Sequence, residues 1–374
     1  MNKRTLGEEL GINVTPLMIS KSKYKTSPNP LAAPEQLVGI ELELEDIGHV
    51  SHSQVGFQWH EDGSLRNQGG EFVTHPMATQ YVEELLTTFF TKNKITESNY
   101  SERTSTHVHV NVLDHTLEQI ASVALLYQVF ERVLFNFVAP DRRNNIFCVP
   151  WCQANVSVNL VDYIEKEQWR NIQKWQKYTA LNLAPMAGDN GRTTTAKGTL
   201  EYRHLQGTCD MKLIMNWINI ITSLHAYAKK NTLADIKSII MELNTSSAYE
   251  MFLQSVFTYW APCLMVTDYW VAMEEGVIDA KFMLLKGDEV KTVSAPVVAP
   301  SAIRRLDGAQ FISNTIPPAG WPAYRPEEVV LDDLQVDPEE DIHVPEFLRG
   351  EQRLNYIRTI RNLRVEAAQN PVRR

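Results

Sequence analysis

The sequence predicts an α+β protein, because segments with two-residue polar alternation occur beside longer segments with helical apolar spacing. Alternation occurs at residues 39–45, 105–112 and 199–204, and each segment has a polar face and an apolar face. Helical spacing occurs at residues 79–93 and 114–138. We therefore expect strands that pair in one antiparallel sheet, with amphipathic helices packed on it.

Composition limits the classes of protein that this chain can belong to. The 374 residues are 44% hydrophobic and 22% charged, so the chain can bury a full core in one or two domains. A formal charge of −9 argues against general nucleic-acid binding and against an anionic membrane partner. No run approaches the roughly 20 apolar residues of a membrane span, and the first residues lack an apolar signal core. The default expectation is a cytoplasmic protein.

The first alternating segment carries three glutamates, Glu41, Glu43 and Glu45, with leucines between them. Two-residue spacing puts the carboxylates side by side. Their repulsion costs little on a solvated face, because water and salt screen it, whereas in a cleft a cation must compensate. This segment alone leaves both alternatives open.

The next part of the chain predicts two more strands and a helix. Residues 54–59 are expected to form a strand that leads into a turn at Asp62-Gly63, and Ser64 follows this turn. Glu71 follows two glycines and begins another strand. Apolar residues at helical spacing over 79–93 then predict a helix packed on the sheet.

The second alternating segment is the richest in ligand chemistry. His107, His109 and Asn111 alternate with valines, so three polar side chains share one strand face. A lone histidine in a strand is usually structural, but two at this spacing indicate a functional face. Imidazole can bind a metal, contact a nucleotide or carry a proton.

The third alternating segment places Glu201 and Arg203 on one face. A Glu-Arg pair on the surface would contribute little to stability, so a surface pair and a functional pair both remain possible at this point. Arg192 and Lys197 precede it in a stretch rich in glycine and threonine, which could close over phosphates.

Several other stretches are expected to be structural. We expect Arg142 and Arg143 to lie in a solvated turn and residues 162–178 to be helical. The cysteines have neither a disulfide framework nor zinc-site spacing and are expected to be buried thiols. They are Cys148, Cys152, Cys209 and Cys263.

If the three alternating strands pair with their polar faces inward, the result is a site for a hard divalent metal and phosphate. Carboxylates suit Mg²⁺ or Mn²⁺, and the metal cancels the repulsion between them. Arg203 supplies a planar fork that fits two phosphoryl oxygens. No P-loop and no glycine-rich Rossmann turn occurs in the sequence, so metals and basic side chains would have to hold any nucleotide.

Five motifs in this order carry a resemblance: G-I-E-L-E at 39–43, E-D-G-S-L at 61–65, G-G-E-F-V-T-H-P at 69–76, T-H-V-H-V at 106–110 and L-E-Y-R at 200–203. Over about residues 38–275 the chain resembles the amidoligase family of the glutamine-synthetase and glutamate-cysteine-ligase superfold. The resemblance implies a curved antiparallel sheet with flanking helices, ATP bound with Mg²⁺ on the concave face, and ligation of a carboxylate to an amine. It also suggests a phage origin, since members occur in phages and mobile bacterial operons.

The resemblance further implies roles for single residues. The metal shell would be Glu41, Glu43, Glu71, His107 and Glu201. The catalytic residues would be Arg203, Glu71, Asp62 and Ser64, the last two as positioning groups for substrate or metal. Contacts to the nucleotide would come from His109, Arg203, Lys197 and Arg192.

The implied reaction joins a small-molecule or peptide carboxylate to an amine through an acyl phosphate and releases ADP and phosphate. A phosphotransferase on the same superfold remains an alternative. So does a catalytically inactive structural protein, for example a virion-associated one, that keeps the fold. A homo-oligomer is possible in either case.

The domain organisation is expected to have three parts. An irregular N-terminal arm over residues 1–36 precedes a catalytic domain over 37–292, and a Pro-rich and acidic extension over 293–374 ends in a basic helix. Within the catalytic domain, helical spacing continues beyond the third strand. It predicts helices at 211–229, 233–243, 248–260 and 267–276.

Overall fold

The computed structural model of the chain describes residues 4–11, 36–154, 160, 169–188, 196–266 and 268–289. The strands in these ranges are β1 Leu37–Leu44, β2 Phe57–His60, β3 Gly70–Thr74, β4 Met77–Ala78, β5 Thr106–Asn111, β6 Leu181–Asn182 and β7 Thr199–Tyr202. Within the described residues they form one antiparallel sheet in the order β2-β3-β1-β5-β7-β6, and β4 pairs with the start of β1. The prediction of an antiparallel sheet in an α+β protein is confirmed.

The α-helices of the described residues flank this sheet in chain order. They are α1 Leu6–Leu10, α2 Val82–Asn93, α3 Leu117–Phe137, α4 Trp151–Ala154, α5 Ala184–Ala187, α6 Met211–Lys230, α7 Leu233–Glu242, α8 Ser246–Phe257, α9 Ala261–Leu264 and α10 Tyr269–Glu289. Short 3₁₀ turns occur at Thr79–Tyr81, Glu97–Asn99, Pro140–Asn144, Trp169–Lys174 and Thr258–Trp260. The helices predicted from apolar spacing are present, and α10 continues well beyond its predicted end at residue 276.

Polar residues just before the long helices fix where these helices begin. Thr116 and Gln119 form a capping box at the start of α3, in which each side chain bonds the other residue's backbone N–H. Asp210 accepts a bond of 3.1 Å from the N–H of Leu213 at the start of α6. These caps satisfy N–H groups that have no partner within the helix.

The apolar face of the sheet is covered by helices. Phe89 of α2 stacks its ring 5.0 Å from Phe72 of β3, and Tyr127 of α3 lies 6.3 Å from Tyr202 of β7 between ring centroids. The apolar side chains of β1, such as Ile40, are fully buried on this side. Alternation therefore directs the intervening polar side chains to the opposite face.

Helix α3 is the central helix of the core. Among the described residues, it is long and apolar enough by length and composition to cross a membrane, which the sequence analysis did not expect. Inside the protein, however, 89% of its most apolar window is buried. It packs against α6 and α10, so the structure gives it the position of a core helix.

Three smaller predictions from the sequence differ from the structure. In the arm expected to be irregular, α1 is helical and the N–H of Leu6 bonds His115 O at 2.8 Å. In the segment 162–178, expected to be helical, the described part has only the 3₁₀ turn Trp169–Lys174, followed by non-helical chain. Of the four cysteines expected to be buried, Cys148 is buried and the other three are partly exposed. The extension over 293–374 lies outside the described residues.

We predict that Gly276→Ala lowers the free energy of unfolding by about 1–3 kcal/mol, because overpacking outweighs the helix propensity of alanine. Gly276 is the point where α10 crosses α3, and a Cβ there would lie 2.0 Å from Val129 O. Urea unfolding measures the change. Gly63→Ala is the control, because a Cβ at Gly63 meets no atom within 4 Å. Equal stability of the two variants would contradict the close crossing.

Candidate functional site

The register of the strands brings together two of the predicted sets of polar side chains, those of the first and second alternating segments. In the β1–β5 pair Glu41 lies opposite His107, and in the β1–β3 pair Glu43 lies opposite Glu71. Directly paired residues in an antiparallel ladder point to the same face. The glutamates of the first segment and the histidines of the second therefore share one surface.

Strand β7, on the other side of β5, adds the polar side chains of the third alternating segment. Glu201 lies opposite His109, and it is held by Asn182 of β6, whose amide donates a bond of 2.7 Å to Glu201 Oε2. The Arg203 guanidinium contacts Glu201 Oε1 and also donates from Nε to Phe147 O at 3.0 Å. The predicted Glu201–Arg203 pair is therefore buried inside a site and is not a surface pair.

His107 is the centre of the cluster. Its Nδ1 lies 2.7 Å from Glu41 Oε1 and 3.5 Å from Glu201 Oε1, and its Nε2 lies 3.7 Å from Glu43 Oε1. The side chain is fully buried, and Nε2 has no hydrogen-bond partner among the described residues. A proton on Nδ1, donated to Glu41, leaves the Nε2 lone pair available to a cation.

The donor set fits a divalent metal ion. Two groups have ligand atoms that all lie within 4.8 Å of one another, one formed by Glu41, His107 and Glu201 and the other by Glu41, Glu43 and Glu71. Glu41 belongs to both groups, so it could bridge two ions. Carboxylate oxygens with one imidazole match Mg²⁺ or Mn²⁺ better than soft metals.

The pKa values of these groups show an excess of negative charge. Burial raises the pKa of Glu41, but His107 and His109 outweigh it and hold that pKa well below its usual value. Burial raises the pKa of Glu43. Burial, together with the charges of Glu41 and Glu43, raises the pKa of Glu71 to about 9.

Asp62 and Ser64 lie at the rim of this face, beside Glu71. The backbone N–H of Ser64 donates to Asp62 Oδ1 at 2.8 Å, so the two form a local turn. Burial raises the pKa of Asp62, but hydrogen bonds from Ser64 and Glu71 and the charge of Lys177 lower it overall. Asp62 is therefore an ionised, partly exposed carboxylate next to the candidate metal ligands.

Glu45 does not join the cluster, although its spacing in the sequence equals that of Glu41 and Glu43. The strand ends at Leu44, and Glu45 Oε1 accepts the backbone N–H of Arg66 at 3.0 Å. It is a buried loop-anchoring residue. A solvated face is thus ruled out for all three glutamates, but only Glu41 and Glu43 belong to the site.

Arg142 is the clearest error of the sequence analysis. It was expected in a solvated turn, but its side chain is fully buried and donates to His204 O at 3.0 Å and Arg203 O at 2.8 Å. It also donates to Ser105 Oγ at 2.9 Å, and the Ser105 hydroxyl bonds Glu43. Arg142 therefore fixes the backbone of Arg203 and, through Ser105, the carboxylate of Glu43. Arg143 is exposed, as expected.

Of the remaining residues expected to contact a nucleotide, only His109 is shown in the cluster. His109 lies 3.4 Å from Glu41 Oε2 through Nε2 and 3.1 Å from Thr199 Oγ1 through Nδ1, so it belongs to the cluster. The Lys197 side chain is exposed, and Arg192 lies outside the described residues. Sequence reasoning missed Lys177 and Tyr178, because their segment was expected to be helical. It also missed Asn182, which lies on a two-residue strand with no alternation.

We predict that Glu71→Gln raises the free energy of unfolding of the metal-free protein at pH 9 by about 1–2 kcal/mol, a value reduced for solvent screening. The pKa of Glu71 in the folded protein is about 9, above the ordinary value of 4.5. The free energy of unfolding of the wild type therefore falls as the pH rises from about 5 to about 9. The glutamine variant has no group that ionises at this position, so it does not show this loss. Urea unfolding in EDTA at pH 5, 7 and 9 measures the difference. Glu83→Gln on the exposed face of α2 is the charge-matched control. A constant difference across this range would contradict the charge crowding.

Comparison with known proteins relates part of the chain to one family. Comparison with curated proteins found no match, and comparison with solved structures found none. The matched part begins after β1 and includes β3, β5 and β7, so register alone brings Glu41 and Glu43 to the matched residues. Over residues 60–225, the chain is similar to the family whose model is described as "putative amidoligase enzyme".

Proposed function

We propose that this protein is an ATP-dependent ligase that joins a carboxylate to an amine through an acyl phosphate and releases ADP and phosphate. The observation that carries the proposal is the cluster of His107 and His109 with three buried glutamates and the partly buried Glu71, with Arg203 beside it. The amidoligase match supports the same reaction class. The antiparallel sheet with one polar face is also consistent with a glutamine-synthetase-like fold, which we propose for it.

The cluster suits the binding of Mg²⁺ with the phosphate chain of ATP. When bound there, Mg²⁺ neutralises phosphate charge and makes the γ-phosphorus more electrophilic. The residues that would hold it are Glu41, Glu43, Glu71, Glu201 and His107. Their rigid strand positions fix the ligand atoms in advance, which lowers the cost of ordering them on binding.

In the first chemical step, a carboxylate oxygen of the acid substrate attacks the γ-phosphorus of ATP. The bond from that phosphorus to the β,γ-bridging oxygen breaks, ADP leaves with the electron pair, and an acyl phosphate forms. Arg203 is the fixed guanidinium of the site and would bind an oxygen of the phosphoryl group during transfer. Its bonds to Glu201 and Phe147 O hold it in one orientation.

In the second step, the amine nitrogen attacks the acyl carbon and phosphate leaves with the electrons of the carbon–oxygen bond. The amine must lose a proton, and we assign its acceptance to Asp62. This carboxylate is ionised and can therefore accept a proton, it lies partly exposed at the rim, and it bonds Glu71 of the cluster. Ser64 holds Asp62 in place through its backbone N–H.

The test is Mg²⁺-dependent release of ADP and phosphate from ATP with a panel of amino acids and polyamines, and with hydroxylamine as a general amine. Hydroxylamine traps an acyl phosphate as a hydroxamate, which a phosphotransferase does not produce. ADP release that requires both an acid and an amine supports the ligase. Phosphate transfer to the amine, or no turnover with any pair, counts against it.

We predict that Glu43→Gln lowers turnover about 100-fold or more, because a metal-binding carboxylate is lost. Its stability should be kept or raised, since burial disfavours the charged form of Glu43. Glu45→Gln is the matched control, from the same row and equally buried. Its amide oxygen can still accept the Arg66 N–H, so it should keep full turnover. Steady-state kinetics and thermal melting measure both variants.

Comparison of Glu43→Gln with Glu45→Gln also shows whether the cluster binds a metal ion or is only a set of buried carboxylates. Mg²⁺ should raise the melting temperature of the wild type and of Glu45→Gln, but not of Glu43→Gln. Unchanged turnover of Glu43→Gln would remove this residue from the mechanism.

A further inference from the structure

The side of the cleft next to Arg203 carries a second cation that the mechanism above does not use. The Lys177 ammonium lies 4.9 Å from the centroid of the Tyr178 ring, and the Arg203 guanidinium carbon lies 5.9 Å from the same centroid. Phe147 packs its ring edge-on at 5.6 Å from Tyr178. We call Lys177, Tyr178 and Phe147 the aromatic wall.

The aromatic wall is anchored by its backbone and is not a freely moving surface segment. The carbonyl of Tyr178 accepts the N–H of Val149 at 2.8 Å, and Ala180 donates to Val149 O at 2.8 Å. Arg203 Nε donates to the carbonyl of Phe147 at 3.0 Å. The segment that carries the ring is therefore tied to the strand that carries Arg203.

The ring in turn restricts Lys177. A lysine side chain loses rotamer entropy when it is held in one position, so an exposed lysine is normally unconstrained. Contact of an ammonium with the face of a tyrosine ring offsets part of that cost and favours one position. Tyr178 is 37% exposed, so the pair lies at the surface and not in the core.

The charge of Lys177 also reaches the glutamate face. It is one of the influences that lower the pKa of Asp62, after burial, which raises it, and the bonds from Ser64 and Glu71. Asp62 follows β2, whereas Lys177 precedes β6. Since Asp62 bonds Glu71, Lys177 is near enough to that face for its charge to act there.

We propose that Lys177, held on the Tyr178 ring, binds the phosphate chain of the nucleotide together with Arg203. This inference rests on the proposed function. A triphosphate on the glutamate face needs metal ions against the carboxylates and cations on its other side. Arg203 and Lys177 supply two such cations on one wall. Tyr178 acts as a positioning residue for Lys177. Lys177 thus takes the phosphate-binding role that was expected of Lys197 and Arg192.

The experiment measures binding of Mg-ATP and of Mg-tripolyphosphate to the full chain by isothermal titration calorimetry. Lys177→Ala should weaken both ligands about tenfold, because the lost contact is to phosphate and not to the base. Lys230→Ala on α6 removes one charge behind the sheet and should leave both affinities unchanged. Lys177 is exposed, so its replacement should not unfold the protein.

Variants of the ring test the positioning role. Tyr178→Ala should weaken Mg-ATP binding about threefold, whereas Tyr178→Phe, which keeps the ring face, should bind as the wild type does. Tyr178→Ala added to Lys177→Ala should cause no further loss, since the ring acts through the ammonium. Additive losses would mean that the ring contacts the ligand itself and would overturn the positioning role.

The outcomes separate this inference from the proposed function. Wild-type affinity in Lys177→Ala, with weakened binding in Arg203→Lys, removes Lys177 and leaves the ligase proposal intact. Loss of Mg-ATP binding with unchanged tripolyphosphate binding places Lys177 at the base and overturns its phosphate role. If the wild type binds neither ligand, the proposed function fails, and this inference fails with it.

Discussion

The structure depends on one electrostatic constraint, which is the packing of four glutamates around a fully buried imidazole. Glu41, Glu43 and Glu201 each have an oxygen within 4 Å of a nitrogen of His107, and Glu71 is paired with Glu43 on the neighbouring strand. Placing like charges together away from water is unfavourable unless cations compensate. Arg203 supplies one positive charge, and the raised pKa of Glu71 shows that it is not enough. A site with this imbalance favours the binding of divalent cations.

The support for this cluster includes Arg142. Its guanidinium donates to the backbone carbonyls of Arg203 and His204 and reaches Glu43 through the Ser105 hydroxyl. A fully buried guanidinium needs several acceptors, and these bonds give it neutral ones, although its Nη1 has no partner among the described residues. Ser105 precedes β5, and Arg203 and His204 follow β7, so the same bonds link the ends of these two strands.

The two edges of the sheet give the cleft different chemical characters. The β2–β3 side presents Asp62 and Glu71, which are acidic groups suited to metal and amine. The β6–β7 side presents Arg203 and Lys177, which are suited to phosphate. The reaction we propose needs an anionic nucleotide and an amine on either side of one acyl carbon. The difference in charge between these two groups of residues suits that arrangement.

The sequence by itself determined the strands, the long helices and most of the cluster, because two-residue and helical periodicity are local properties that survive without tertiary contacts. Glu41, Glu43, His107 and Glu201 could be selected for this reason. Only the tertiary structure decided that Glu45 anchors a loop, that Arg142 is buried, and that the charge of Lys177 acts on Asp62. Each of these depends on where a strand ends or on which distant segment packs beside it, and contacts between distant segments leave no periodic trace in the sequence.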